Sequence, residues 1–242
     1  MGSNKVYQVS TLQALALGYT RPVVNVEELL CHGDTGLGTF EGVDGEMIVA
    51  DGVCYQAKQD GTIVRATDAA GVPFAVVGFT ENGRKFKMEE KKDIEAVKTE
   101  LTLRIDEDFG LNSVHIARIN GNFDLIRARA GAAYRSQHVS LKEILSKTQK
   151  EFSFEHVRGT LVCVYYPDYM DGINAYGWNL HFVSEDRKTG GHVFEVSMSS
   201  GECVIQKMDR IEIQMPREAA FDTYSLKQAS KDEIVQVEQG NK

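Results

Sequence analysis

Hydrophobic and polar residues alternate along this chain in two rhythms. Some stretches repeat every second position, as strands do, and others every third or fourth, as helices do. Residues 37–43, 46–50, 53–58 and 62–67 are short β-prone runs parted by Asp44-Gly45, Asp51-Gly52 and Asp60-Gly61. Asp-Gly supplies the positive φ angles of tight hairpin turns, so these runs predict an antiparallel meander. Residues 72–80 read as a further buried strand. Ahead of the meander, residues 10–19 and 26–31 read as short helices. Thr11 or Ser10 is placed to cap the first, and Asn25 the second, with Glu28 three residues on and Gly33 as a stop.

Residues 88–108 carry the clearest helical period, through Ile94, Val97, Leu101 and Ile105. Two strands follow, 113–119 and 123–129, which the Asn120-Gly121-Asn122 step predicts to be joined by a turn. Ser140 with Glu143 forms a capping box for a helix reaching about Lys150. Beyond Val157 the chain is β-rich again, at 160–166, 178–183, 192–198, 203–207 and 210–214, with a hairpin turn expected at Ser199-Ser200-Gly201-Glu202. Residues 225–238 are amphipathic and suit either helix or strand. The expected fold class is mixed α+β (α/β), with mixed or antiparallel sheets and a few helices. The helix near 140–150 is the expected divide between two β-rich halves, residues 1–139 and 140–242.

Charge and cysteine usage narrow the function classes. The 242 residues carry a formal charge of −8. An acidic chain lacks the field that draws nucleic acid or anionic membranes, so neither is an expected partner. No apolar run reaches the roughly 20 residues that span a bilayer. The polar start, Met1 to Lys5, shows no secretory signal. Cys31, Cys54, Cys163 and Cys203 form no Cys-x-x-Cys pair, which suits reduced thiols and a cytoplasmic location.

Three groups of residues could carry chemistry. In Trp178-Asn179-Leu180-His181, period-two alternation puts Asn179 and His181 on one face of a strand. The loop 184–191 can return the chain antiparallel and set His192 beside them. Two imidazoles on rigid strands make half of a transition-metal site, but spacing alone favours a partly buried cross-strand pair. Arg127 and Arg129 are two apart on a strand, as a carboxylate-binding site or as plain surface arginines. Gly33-Asp34-Thr35-Gly36-Leu37-Gly38-Thr39-Phe40 has neither dinucleotide-binding nor phosphate-loop spacing, and its glycines read as backbone bends. Glu46, opening a strand just after it, is a candidate acid or a solvated strand end.

Long stretches of this sequence resemble the α-acetolactate decarboxylase family. They are residues 28–40, Asp44-Gly45-Glu46-Met47 through Gly52, Tyr55-Gln56-Ala57, Gly121-Asn122-Phe123 with Arg129, residues 180–188 with Gly190-Gly191-His192-Val193, and Glu238. The resemblance implies a zinc-dependent carbon–carbon lyase that converts 2-acetolactate to (R)-acetoin and CO2. It implies two β-rich halves, an active site in the cleft between them, a C-terminal tail returning to that cleft, and a homodimer. It implies metal binding by His181 and His192, and catalytic roles for Thr39, Glu46, Arg129 and Glu238. The family's third metal-binding histidine falls on Asn179, which would be a weak ligand or stand one step back from the metal. Zinc held also by Glu46 or Glu238, a different divalent ion, or a weakly active or non-catalytic relative binding a small hydroxy-keto acid are the readings Asn179 permits. The family's usual residues after the arginine are also replaced, by Ala130-Gly131-Ala132-Ala133.

The implied chemistry accounts for these residue types. Loss of CO2 from a β-keto acid leaves an enediolate, and a cation on neutral imidazoles can absorb that charge. Arg129 would hold the carboxylate. Glu46 or Glu238 would protonate one face of the enediolate, which requires a carboxyl pKa raised by burial or by an acidic neighbour.

Overall fold

The computed structural model describes residues 4–134, 139–224 and 226. In chain order the elements are β1 (Lys5–Val9), α1 (Leu12–Ala16), β2 (Val24–Asn25), α2 (Val26–Leu30), β3 (Thr35–Thr39), β4 (Glu46–Ala50), β5 (Val53–Ala57), β6 (Ile63–Arg65), β7 (Gly71–Val72), β8 (Phe74–Gly78), β9 (Arg84–Met88) and β10 (Lys92–Asp93). They continue with α3 (Ile94–Asp108), β11 (Val114–Ala130), α4 (Leu141–Thr148), β12 (Lys150–Tyr166), β13 (Gly177–Ser184), β14 (Gly190–Met208) and β15 (Arg210–Gln214). The expected mixed α+β class is what the chain adopts.

Two sheets carry the fold. The first runs β15-β1-β8-β3-β4-β5-β6, antiparallel except for the parallel β1–β15 pair. The Asp-Gly turns do join β3 through β6 as a meander. In the second sheet β11 pairs with β12 and β14, and β13 pairs with β12 and again with β14. Strands β11 to β14 thus close on themselves, and His192 lies on the closing seam.

Caps form where the sequence places them at Thr11, Asn25 and Ser140, whose side chains each accept a hydrogen bond from a first-turn backbone N–H. The long helix begins later than its periodicity suggests, at Ile94. Lys92 and Asp93 instead pair with β14, and Asp93 caps the helix.

Two expected hairpins are absent. Asn120-Gly121-Asn122 lies inside the continuous β11, and residues 199–202 lie inside β14. Both segments run on between neighbouring strands, broken only by a bulge at Ser199, and this pairing outweighs the local turn preference of Asn-Gly. Gly121 faces Gly159 on one side and Gly201 on the other. A Cβ at Gly121 would lie 2.5 Å from the Ser200 carbonyl oxygen. Gly121→Ala should therefore destabilise the protein by more than about 2 kcal/mol, read as a lower denaturant midpoint.

The division expected at 139/140 does not follow the sheets. β11 and β12, on either side of it, pair along their length. The first sheet takes residues 5–78 with 210–214, and the second takes 84–208. Residues 227–242, which include Glu238, lie outside the described residues.

Period-two alternation gives β13 two different faces. Leu180 and Phe182 enter the core that Val97, Leu101 and Ile105 of α3 cover. His181 and Val183 face the first sheet, where Val183 packs with Ile48, Ala50 and Ala57.

Burial also leaves a pH signature. His115, fully buried beside Phe109 and Tyr165, has its pKa pushed from 6.5 down to about 4, chiefly by desolvation. The unfolded chain then binds more protons than the folded chain between those values, so protonation favours unfolding there. Stability should be intact above about pH 6.5 and fall progressively toward pH 4. Thermal midpoints measured across this range should decline, and the decline should be shallower in His115→Leu.

Candidate active site between the two sheets

A small cavity lies between the sheets, lined from both. β3 and β4 bring Thr39 and Glu46, which sit opposite each other in antiparallel register. β11 brings Arg129, β13 brings Asn179 and His181, and β14 brings His192. These residues, scattered over more than 150 positions, converge because His192 is a cross-strand neighbour of both His181 and Arg129.

The imidazoles are oriented for ligation. His181 Nδ1 lies 2.8 Å from the Met47 carbonyl oxygen. That oxygen can only accept, so Nδ1 carries the proton and Nε2 presents its lone pair. Nε2 lies 3.1 Å from His192 Nδ1 and 3.7 Å from Glu46 Oε2. Burial pushes the His181 pKa down to about 4, with Arg129 adding to the shift and the Met47 bond opposing it. His181 is thus neutral at ordinary pH, as a metal ligand must be. Glu46, His181 and His192 each offer a ligand atom within 4.8 Å of the others, and no other such cluster exists among the described residues.

The remaining side chains fill complementary places. Arg129 is 7% exposed, with Nη2 3.4 Å from His192 Nε2. Its neighbour in the sequence pattern, Arg127, goes elsewhere. It ion-pairs with Glu195 and Glu151 and lies over the Phe194 ring. Thr39 is buried, and its Oγ1 donates to the Gly45 carbonyl. Asn179 lines the cavity on the same strand face as His181.

A polar pocket with two imidazoles, a carboxylate and a buried guanidinium, at the positions the sequence resemblance marks, decides the assignment when joined to whole-chain comparison. The family model described as α-acetolactate decarboxylase matches residues 6–228. The chain belongs to the α-acetolactate decarboxylase family. It is 34% identical to the α-acetolactate decarboxylase of Methanosarcina mazei, over 98% of this chain and 81% of that protein. It is 35% identical to the one from Lactococcus lactis subsp. lactis, over 94% of this chain and 96% of that protein. The crystal structure of α-acetolactate decarboxylase from Bacillus subtilis strain 168 superposes with a TM-score of 0.91 at 30% identity. That match covers 98% of this chain and all of the other.

The sequence did not disclose two parts of the decarboxylase-family pocket. One is the Met47 carbonyl, which sets the His181 tautomer. The other is an apolar wall that includes Leu15, Leu141 and Leu145. Only the i, i+4 spacing of Leu141 and Leu145 hinted that they share a helix face.

Proposed function

We propose that the chain decarboxylates 2-acetolactate to (R)-acetoin and CO2, with a divalent transition metal, zinc, held by Glu46, His181 and His192. The observation that supports this most is the meeting of those three donors beside a buried arginine. The donor set suits such a cation: neutral imidazole nitrogens and one carboxylate bind zinc and similar ions. Bound there, the metal supplies Lewis acidity for charge that collects on the substrate's ketone and hydroxyl oxygens.

The chain's own groups do the rest. Arg129 presents a planar pair of donors to the substrate carboxylate, with little water to screen them. The Thr39 hydroxyl hydrogen is engaged in a bond to the Gly45 carbonyl, so its oxygen lone pairs are left to accept from a substrate hydroxyl. With Glu46 ionised on the metal, Glu238 returns a proton to one face of the enediolate, which sets the product's handedness. Asn179 offers a neutral amide oxygen, weaker toward zinc than imidazole, and acts as a weak ligand or through neighbouring groups.

The same reading places the protein in the cytoplasm as a homodimer, acting on a small molecule and on neither nucleic acid nor membrane. The four cysteines are free. No helix among the described residues is long and apolar enough to cross a membrane. Light scattering should return twice the 26.9 kDa chain mass.

Metal analysis of the purified protein, paired with an acetoin assay, tests the proposal. About one zinc per chain and acetoin release are expected. A protein that takes up no metal from added zinc and forms no acetoin contradicts it. Asn179→His should tighten zinc binding. Activity found only in that variant would make the natural chain a binding protein for hydroxy-keto acids.

A further inference from the structure

The cavity is chemically two-sided. Beside its polar residues stand Leu15, Leu37, Val43, Phe74, Leu141 and Leu145. Five of these are at most 4% exposed and packed into the core. Leu145, in the last turn of α4, is the partly exposed one, packed against the core's edge. It also leans on the end of β11. A Cβ at Gly131, two residues past Arg129, would lie 3.1 Å from Leu145 Cδ2.

A 2-hydroxy-3-keto acid is two-sided in the same way. Its oxygens cluster on three adjacent carbons, and its alkyl groups point away from them. With those oxygens among Arg129, the imidazoles and Glu46, the alkyl groups are left to the leucines. The carbon that loses CO2 carries both the carboxylate and one alkyl group, so that alkyl group sits two bonds from the carbon of the carboxylate that Arg129 holds. We propose that Leu145 sets the size limit for this alkyl substituent, and so decides how far beyond the methyl compound the substrate range extends. The inference rests on the decarboxylase reading and on Arg129 as the carboxylate anchor.

The other wall residues are less free to do this, because each is embedded in the core and its truncation would cost stability as well as space. Leu145 can be shortened or lengthened with less effect on packing. A methylene more or less in an apolar pocket changes discrimination by about tenfold or more.

The experiment compares kcat/KM for 2-acetolactate with its homologues bearing ethyl and n-propyl at the same carbon, using zinc-saturated protein. Leu145→Ala, or Leu145→Val if alanine unfolds the chain, should raise the propyl-to-methyl ratio by about tenfold. Leu145→Phe should lower the ethyl-to-methyl ratio by a similar factor, and Leu145→Met should keep the parent ratios. Equal losses on all three acids, with ratios within twofold of the parent, indicate a purely structural leucine and overturn the inference. Parent protein inactive on every one of the acids refutes the decarboxylase reading, and the role of Leu145 falls with it. Parent activity with unmoved ratios refutes Leu145 alone.

Discussion

Replacing His192 with alanine should empty the pocket of metal and lower acetoin formation by about a thousandfold or more. Metal Lewis acidity is worth several kcal/mol of transition-state stabilisation, and each 1.4 kcal/mol is roughly a factor of ten. Of the three proposed metal donors, His192 stands where strands β13 and β14 close the second sheet, across from His181 and next to Arg129. Its loss leaves one imidazole and one carboxylate, too few to retain a transition metal against water. Metal content by mass spectrometry and kcat/KM for 2-acetolactate should fall together. His192→Ala retaining full zinc and full activity would remove His192 from the ligand set.

Arg129→Gln should leave zinc binding close to normal while lowering kcat/KM by about a hundred- to a thousandfold. Arg129→Lys should recover little of that, since an ammonium cannot reproduce the planar fork of donors. The side chain is 7% exposed, so its charge acts in a poorly screened site. Titration calorimetry with zinc separates this variant from the histidine one. If Arg129→Gln lost metal as completely as His192→Ala, Arg129 would be acting through His192 Nε2, 3.4 Å away, rather than on the substrate.

Much of this was readable along the chain, for reasons that are local. Side-chain alternation is set by covalent geometry, so Asn179 and His181 had to share a face. The loop from Ser184 to Gly190 is long enough to return the strand, and it does bring His192 opposite His181. The Asp-Gly steps specified the β3–β6 meander because positive φ is costly for other residues, and Gly45, Gly52 and Gly61 all adopt it. What stayed hidden depends on distant partners. Asn120-Gly121-Asn122 looks like a turn until Gly159 and Gly201 flank it from other strands. β1 was invisible because its partners, β8 and β15, lie some 70 and 200 residues away. Glu46 could have faced either way, and only packing of one sheet on the other brings it 3.7 Å from His181. The wall of leucines is likewise a product of tertiary packing.

The most direct test is an anomalous-scattering map, at the zinc edge, of crystals grown with zinc. A single strong peak is predicted about 2.0–2.2 Å from His181 Nε2, a ring nitrogen of His192 and a carboxylate oxygen of Glu46. Crystals of protein shown to be active, with no metal peak between these three side chains, would contradict the account.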